Sequence, residues 1–228
     1  MGETLRILRN EVDPETAVLG FVGAPFTLAT YIVEGGSSRE YTTIKNMMFQ
    51  EPEVLHALMS SLADSIADYV RYQADNGAQV VQIFDSWAAN LTPADFEKFA
   101  MPYIKKIVAS VKETHPDLPI TLYIFGAGGL LERMADFGGD CMGIDWTVDM
   151  TDARKRIGDD LAMQGNMDPC VLFTDKDTIY RHVDDIIEKA GGLSAKHVMN
   201  LGHGVMQKTP EENVGHFFEA CRTAHLRK

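Results

Sequence analysis

The chain is divided by short apolar runs, and almost every one ends in glycine, proline or a polar cluster. The runs are Ala17–Val22 (AVLGFV), Ala78–Phe84 (AQVVQIF), Ile120–Phe125 (ITLYIF), Cys141–Ile144 (CMGI), Leu161–Gly165 (LAMQG) and His197–Leu201 (HVMNL). Nearly continuous apolar character, without strict polar alternation, is what strands of a buried parallel sheet need. Between them lie amphipathic stretches. Glu53–Asn76 sets Leu55, Leu58, Leu62, Ile66, Tyr69 and Val70 at helical steps before Gly77. Thr92-Pro93 opens a second helix, which Pro102 should kink. A third begins near Gly128, a fourth covers Asp177–Ala190, and Thr209-Pro-Glu-Glu212 reads as a capping box for a last helix carrying Val214, Phe217 and Phe218.

Strands alternating with helices imply an α/β fold with parallel strands. The clusters GAP, DSW, GAGG, DWT, GNMDP and GHG close successive strands. A doubly wound sheet gathers its polar signals at one switch point, whereas a (β/α)8 TIM-type barrel spreads them over every strand end. The sequence therefore reads as a single barrel domain over residues 1–228, incomplete at about six of eight βα units. The opening helix Glu3–Val12 presents Leu5, Leu8 and Val12 for a sheet to cover. Two missing strands are expected to leave open sheet edges that invite association.

Composition narrows the function. Apolar residues make up 45 % and charged residues 24 %, an ordinary globular balance. No apolar run nears the roughly 18 residues of a membrane helix, and the first fifteen residues lack a signal-peptide core, so a soluble, cytoplasmic protein is expected. With 21 basic against 33 acidic residues the net charge is −12, which disfavours nucleic acid and anionic membranes as partners. Cys141, Cys170 and Cys221 are too few and scattered for a disulfide framework or a structural zinc, so no metal is expected.

Several strand ends carry candidate chemistry beside a plainer reading. In the stretch from Gly20 to Gly35 (GFVGAPFTLATYIVEG), Gly23 and Pro25 set a tight turn and Thr27 is placed to cap a helix. Tyr31, one turn further, either faces the mouth or packs in the core. Asp85-Ser86-Trp87 either points polar groups into the mouth or supplies a cap. Gly126-Ala-Gly-Gly129 fails the dinucleotide pattern, because Leu131 replaces its third glycine; close approach to a flat ligand suits it better. Asp145 and Asp168 are caps or substrate contacts, and the sequence does not separate these. His203, between two glycines, suits a group titrating near pH 7 or a structural histidine.

Together GFVGAPFTLATYIVEGG, IFDSW, GIDWTVD, MQGNMDP and NLGHGV…TPEENV resemble the uroporphyrinogen decarboxylase family, in the family's order from about Glu3 to His225. The resemblance implies a distorted (β/α)8 barrel that forms a homodimer and uses no metal or organic cofactor. It implies removal of the four acetate carboxylates of uroporphyrinogen III, giving coproporphyrinogen III in heme and chlorophyll synthesis. It places the family's active-site tyrosine, serine and histidine on Tyr31, Ser86 and His203, expected to line one cleft at the strand ends. Arg39, in the loop Gly35–Tyr41, is placed to meet a substrate carboxylate. The family's Arg-Gln-Ala-Gly-Arg-Tyr motif and its ring-facing aspartate do not occur here. The chain thus reads as truncated at the N-terminus and is expected to turn over poorly alone. Two alternatives compete: a non-catalytic fragment acting through protein association, and a zinc-dependent cobalamin-linked methyltransferase of the same fold. The second lacks its H-x-C motif, since His203 is followed by Gly204 and Val205.

Overall fold

A computed structural model describes residues 1–36 and 40–227. The chain divides into two compact units, Met1–Ile124 with Arg133–Asp140, and Phe125–Glu132 with Cys141–Lys228.

In the first unit the order is α1 (Gly2–Glu11), β1 (Leu19–Gly23), α2 (Pro25–Glu34), α3 (Thr42–Gln50), α4 (Pro52–Asp75), β2 (Val80–Phe84), α5 (Pro93–Phe99), α6 (Met101–Thr114) and β3 (Ile120–Tyr123). Its strands run parallel in the order β1-β2-β3, with Leu19 opposite Val80 and Val81 opposite Ile120. Val81, Ile83, Ile120 and Leu122 are fully buried; α4 packs on α6, and Leu55 and Met59 of the first and Ile104 and Ile107 of the second are also fully buried. A one-turn helix, α7 (Leu131–Met134), comes next in the chain.

In the second unit β4 (Cys141–Gly143), α8 (Met150–Ile157), β5 (Ala162–Met167), α9 (Lys176–Lys189), β6 (His197–Leu201) and α10 (Glu211–Thr223) follow one another. Here too the strands are parallel, β4-β5-β6, with Cys141 opposite Ala162 and Met163 opposite His197. The six strands fall within about two residues of the runs marked by composition, and their alternation with helices is that of part of a (β/α) barrel.

Local chemistry departs from the sequence reading in five places. The opening helix α1 packs on α4 rather than on a sheet: Arg6 donates to Asn76 Oδ1, Leu5 is buried, and Leu8 stays 43 % exposed. The outer edge of β1 is closed at its midpoint, because the buried side chain of Gln73 accepts from Phe21 N–H and donates to Phe21 C=O, both at 3.0 Å. A side-chain amide thus stands where a further strand would pair. Thr92 caps α5 as expected, accepting from Asp95 N–H at 3.2 Å, but the break with α6 falls at Ala100, which leaves Pro102 harmless in the first turn of α6. The helix expected from Gly128 shrinks to a 3-10 turn, Ala127–Gly129, before α7. The box at Thr209 does not form. Pro210 is the N-cap of α10, and the Thr209 hydroxyl is enclosed without a partner.

Candidate active site

In the first unit, β2 ends and Asp85 follows at once, fully buried. One of its oxygens accepts two hydrogen bonds from Thr27, from the N–H at 3.1 Å and the hydroxyl at 2.7 Å. Thr27 lies in the first turn of α2, so the carboxylate faces the positive end of that helix. Ala24 is the N-cap, and Thr27 serves as a donor rather than the cap expected of it. Asp85 Oδ2 is enclosed with no hydrogen-bond partner. Burial outweighs the two bonds and pushes the Asp85 carboxyl up to about 6.

Ser86 is half-buried in a tight turn closed by Ala88 N–H on Asp85 C=O at 3.2 Å. Trp87 N–H donates to the Thr27 hydroxyl at 3.3 Å. The Trp87 ring meets Tyr31 edge-on at 5.9 Å and Tyr41 at 5.4 Å. Tyr31 is 44 % exposed, whereas Tyr41 is buried with φ +53°, a conformation that costs a non-glycine residue roughly 1–3 kcal/mol and is sustained here by ring packing. Burial and the neighbouring Tyr31 raise the Tyr41 phenol above its ordinary range.

A second cluster closes the strands of the other unit. His203, two residues past β6, is exposed and lies 5.1 Å from the Phe125 ring and 5.9 Å from that of Trp146, while those two rings are 5.1 Å apart. Gly202 makes this placement possible. A Cβ there would lie 2.3 Å from the Trp146 backbone nitrogen, so only glycine lets the two loops approach. Asp145, buried after β4, accepts from Gly126 N–H, Ala127 N–H, Thr147 N–H and the Thr147 hydroxyl at 2.5–3.1 Å. Asn166 ties the same segment down by donating to the carbonyls of Asp145 and Val148.

These bonds resolve readings the sequence left open. Asp145 is a structural anchor. Two of the N–H groups of the glycine loop are taken up by it and are not offered to a ligand. Asp168 is a cap, accepting from Cys170 N–H at 2.8 Å. Arg39 lies outside the described residues. Among the described residues no three His, Cys, Asp or Glu side chains are grouped to hold a metal ion, and no helix is long and apolar enough to cross a membrane. Ser86 and His203 each lie two residues past a strand, and Tyr31 lies in the second turn of the helix that follows β1. Sequence reasoning passed over Tyr41 and Phe125, and did not foresee the Thr27–Asp85 pair. A threonine just after Gly-Ala-Pro and an aspartate just after an apolar run are the only local signs of it.

Comparison with known proteins fits this geometry. A chloroplastic uroporphyrinogen decarboxylase of Zea mays is 60 % identical over 222 residues, which is 97 % of this chain and 56 % of the maize protein. A uroporphyrinogen decarboxylase of Synechococcus sp. (strain CC9605) is 55 % identical over 223 residues, 98 % of this chain and 63 % of that protein. The chain therefore spans somewhat over half the length of these relatives. Among solved structures, a methyltransferase from Methanosarcina mazei shares the fold, with a TM-score of 0.86 at 21 % identity over 98 % of this chain and 64 % of its own. The family described as uroporphyrinogen decarboxylase (URO-D) matches residues 1–224, and the chain belongs to that family.

Proposed function

We propose that this chain serves the decarboxylation of the four acetate side chains of uroporphyrinogen III to coproporphyrinogen III in porphyrin biosynthesis. The observation that carries this reading is 60 % identity to a named uroporphyrinogen decarboxylase over 97 % of the chain. Loss of CO2 from an acetate arm leaves two electrons that need a sink. A pyrrole ring protonated beside the arm supplies it; a second proton then completes the new methyl group, and the ring gives back the first. The side chains proposed for this work are Tyr31 and Ser86, as hydrogen-bond donors to substrate, and His203, as a proton carrier to or from it. Arg39 is proposed to pair with a substrate carboxylate, the residue type that does so in two-point fashion.

No cofactor is part of the proposal. The competing reading is a zinc-dependent cobalamin-linked methyltransferase, but the family match and the sequence His203-Gly204-Val205 favour decarboxylation. A homodimer and a cytoplasmic location complete the proposal, although the maize relative is named chloroplastic. Sedimentation and cell fractionation decide these two points.

The test is anaerobic incubation of the protein with uroporphyrinogen III, with products separated by carboxylate number. Slow, stepwise appearance of seven-, six-, five- and four-carboxylate species is expected, and Tyr31→Phe and His203→Asn should each slow it further by roughly 10²-fold or more. Unchanged substrate, or full rate in both variants, would refute the reading.

A further inference from the structure

We infer that Thr27 and Asp85 act as a pair of positioning residues, a clamp that sets Ser86 and Tyr31 in place through a single hydroxyl. The inference rests on the decarboxylase reading for its consequence in turnover, and on geometry alone for the clamp itself.

Ser86 sits between two residues that are both tied to the same atom. Ahead of it, the Asp85 carboxylate receives the Thr27 hydroxyl proton at 2.7 Å; behind it, Trp87 N–H donates to the oxygen of that hydroxyl at 3.3 Å. The Thr27 N–H adds a second bond to the same Asp85 oxygen at 3.1 Å. The turn that carries Ser86 is thereby fastened at both flanks to the start of α2, across 58 to 60 residues of sequence. Tyr31 leaves α2 four residues after Thr27, on the same side of the helix, and its ring meets Trp87 edge-on at 73°. The serine and the tyrosine are thus both referenced to one side chain.

The environment makes the clamp stiff. Thr27 is 4 % exposed and Asp85 is fully buried, so water does not compete for these bonds. The carboxylate at the N-terminal end of a ten-residue helix is held by the helix dipole as well as by its donors. Burial raises the Asp85 carboxyl to about 6, as befits a group whose second oxygen has no partner. The clamp uses the Thr27 hydroxyl, and helix propensity does not account for its place, because threonine is only a moderate helix former.

Two measurements test the clamp. The first uses wild-type protein and amide hydrogen exchange. Trp87 N–H has no backbone acceptor and depends on the Thr27 hydroxyl, so its exchange should be slowed on the order of a hundredfold or more from the free-peptide rate. Exchange near the free-peptide rate at Trp87 would overturn the proposal whatever the protein catalyses. The second compares Thr27→Val, which removes the hydroxyl and keeps the shape, with Thr27→Ser, which keeps the hydroxyl. Thr27→Val should deprotect Trp87 and lower kcat on the order of ten- to a hundredfold with KM nearly unchanged, and Thr27→Ser should restore both. Equal kcat in Thr27→Val and wild type, or no recovery in Thr27→Ser, would overturn it. A wild-type protein that turns nothing over while Trp87 stays protected would remove the decarboxylase reading and leave the clamp standing.

Discussion

Asp85 in the first unit is one residue past β2, Asp145 in the second is two residues past β4, and both are buried. Their surroundings differ in one respect. Asp145 receives four hydrogen bonds spread over both oxygens, three from backbone N–H groups and one from a threonine hydroxyl. Asp85 receives two, both on one oxygen and both from Thr27, and its other oxygen has none. A buried carboxylate with a full set of donors serves as scaffold, because its charge is met where it forms. One with half a set keeps part of its desolvation cost, and its protonation is shifted upward. The better-supplied carboxylate pins a loop, whereas the poorly supplied one stands beside a proposed site residue.

The comparison breaks most visibly at Asp145. Asp145→Ala strands three N–H groups and a hydroxyl, and should destabilise the protein by about 3–5 kcal/mol in urea unfolding. A loss below about 1 kcal/mol would mean that the four bonds are replaceable by water.

Asp85→Asn should act in the opposite direction. Its amide oxygen still accepts from Thr27, but no charge is buried. The folded carboxyl, raised to about 6 against an unfolded value near 3.8, favours folding fully below pH 4, and that advantage is lost as pH rises through 6. At pH 7.5 the variant should therefore gain about 2–3 kcal/mol over wild type, and the gain should disappear by about pH 4. A difference that does not vary with pH would contradict the assignment.

Gly202→Ala tests the second unit at its tightest approach. A Cβ at 2.3 Å from the Trp146 backbone nitrogen forces the two loops apart, at a cost of about 1–3 kcal/mol. Under the decarboxylase reading it should also lower turnover, because His203 is the next residue. The smallest effect separates the two threonines read as helix caps. Thr92→Ala should cost about 1 kcal/mol, since its hydroxyl accepts from Asp95 N–H, while Thr209→Ala should change stability by no more than about 0.5 kcal/mol, since its hydroxyl bonds nothing.

Strands β2 to β5 were legible because a buried parallel strand is a short apolar run; β1 and β6 were legible by the same apolar character, although part of each is exposed. Helix α4 was legible through its long apolar stripe. Helices α3 and α8 were not, being short and mostly polar; for α8 the sign was Asp149, which accepts from Thr151 N–H and Asp152 N–H as an N-cap. The capping pattern at Thr209 misled because Pro210, extended at φ −62° and ψ 128°, takes the N-cap position itself and leaves Thr209 outside the helix. Tyr31, Ser86 and His203 are proposed as site residues through family motifs, not through local chemistry. The Thr27–Asp85 pair could not be picked out, because it joins the start of one helix to the end of a strand 58 residues away, and nothing in either segment names the other.

The half-supplied carboxylate is tested most directly by following the Asp85 side-chain carboxyl carbon through an NMR pH titration. The account predicts an Asp85 midpoint near 6, moved further up when Thr27→Val removes one of its two donors. An Asp85 midpoint near the ordinary aspartate value of about 3.9, unmoved by Thr27→Val, would contradict it.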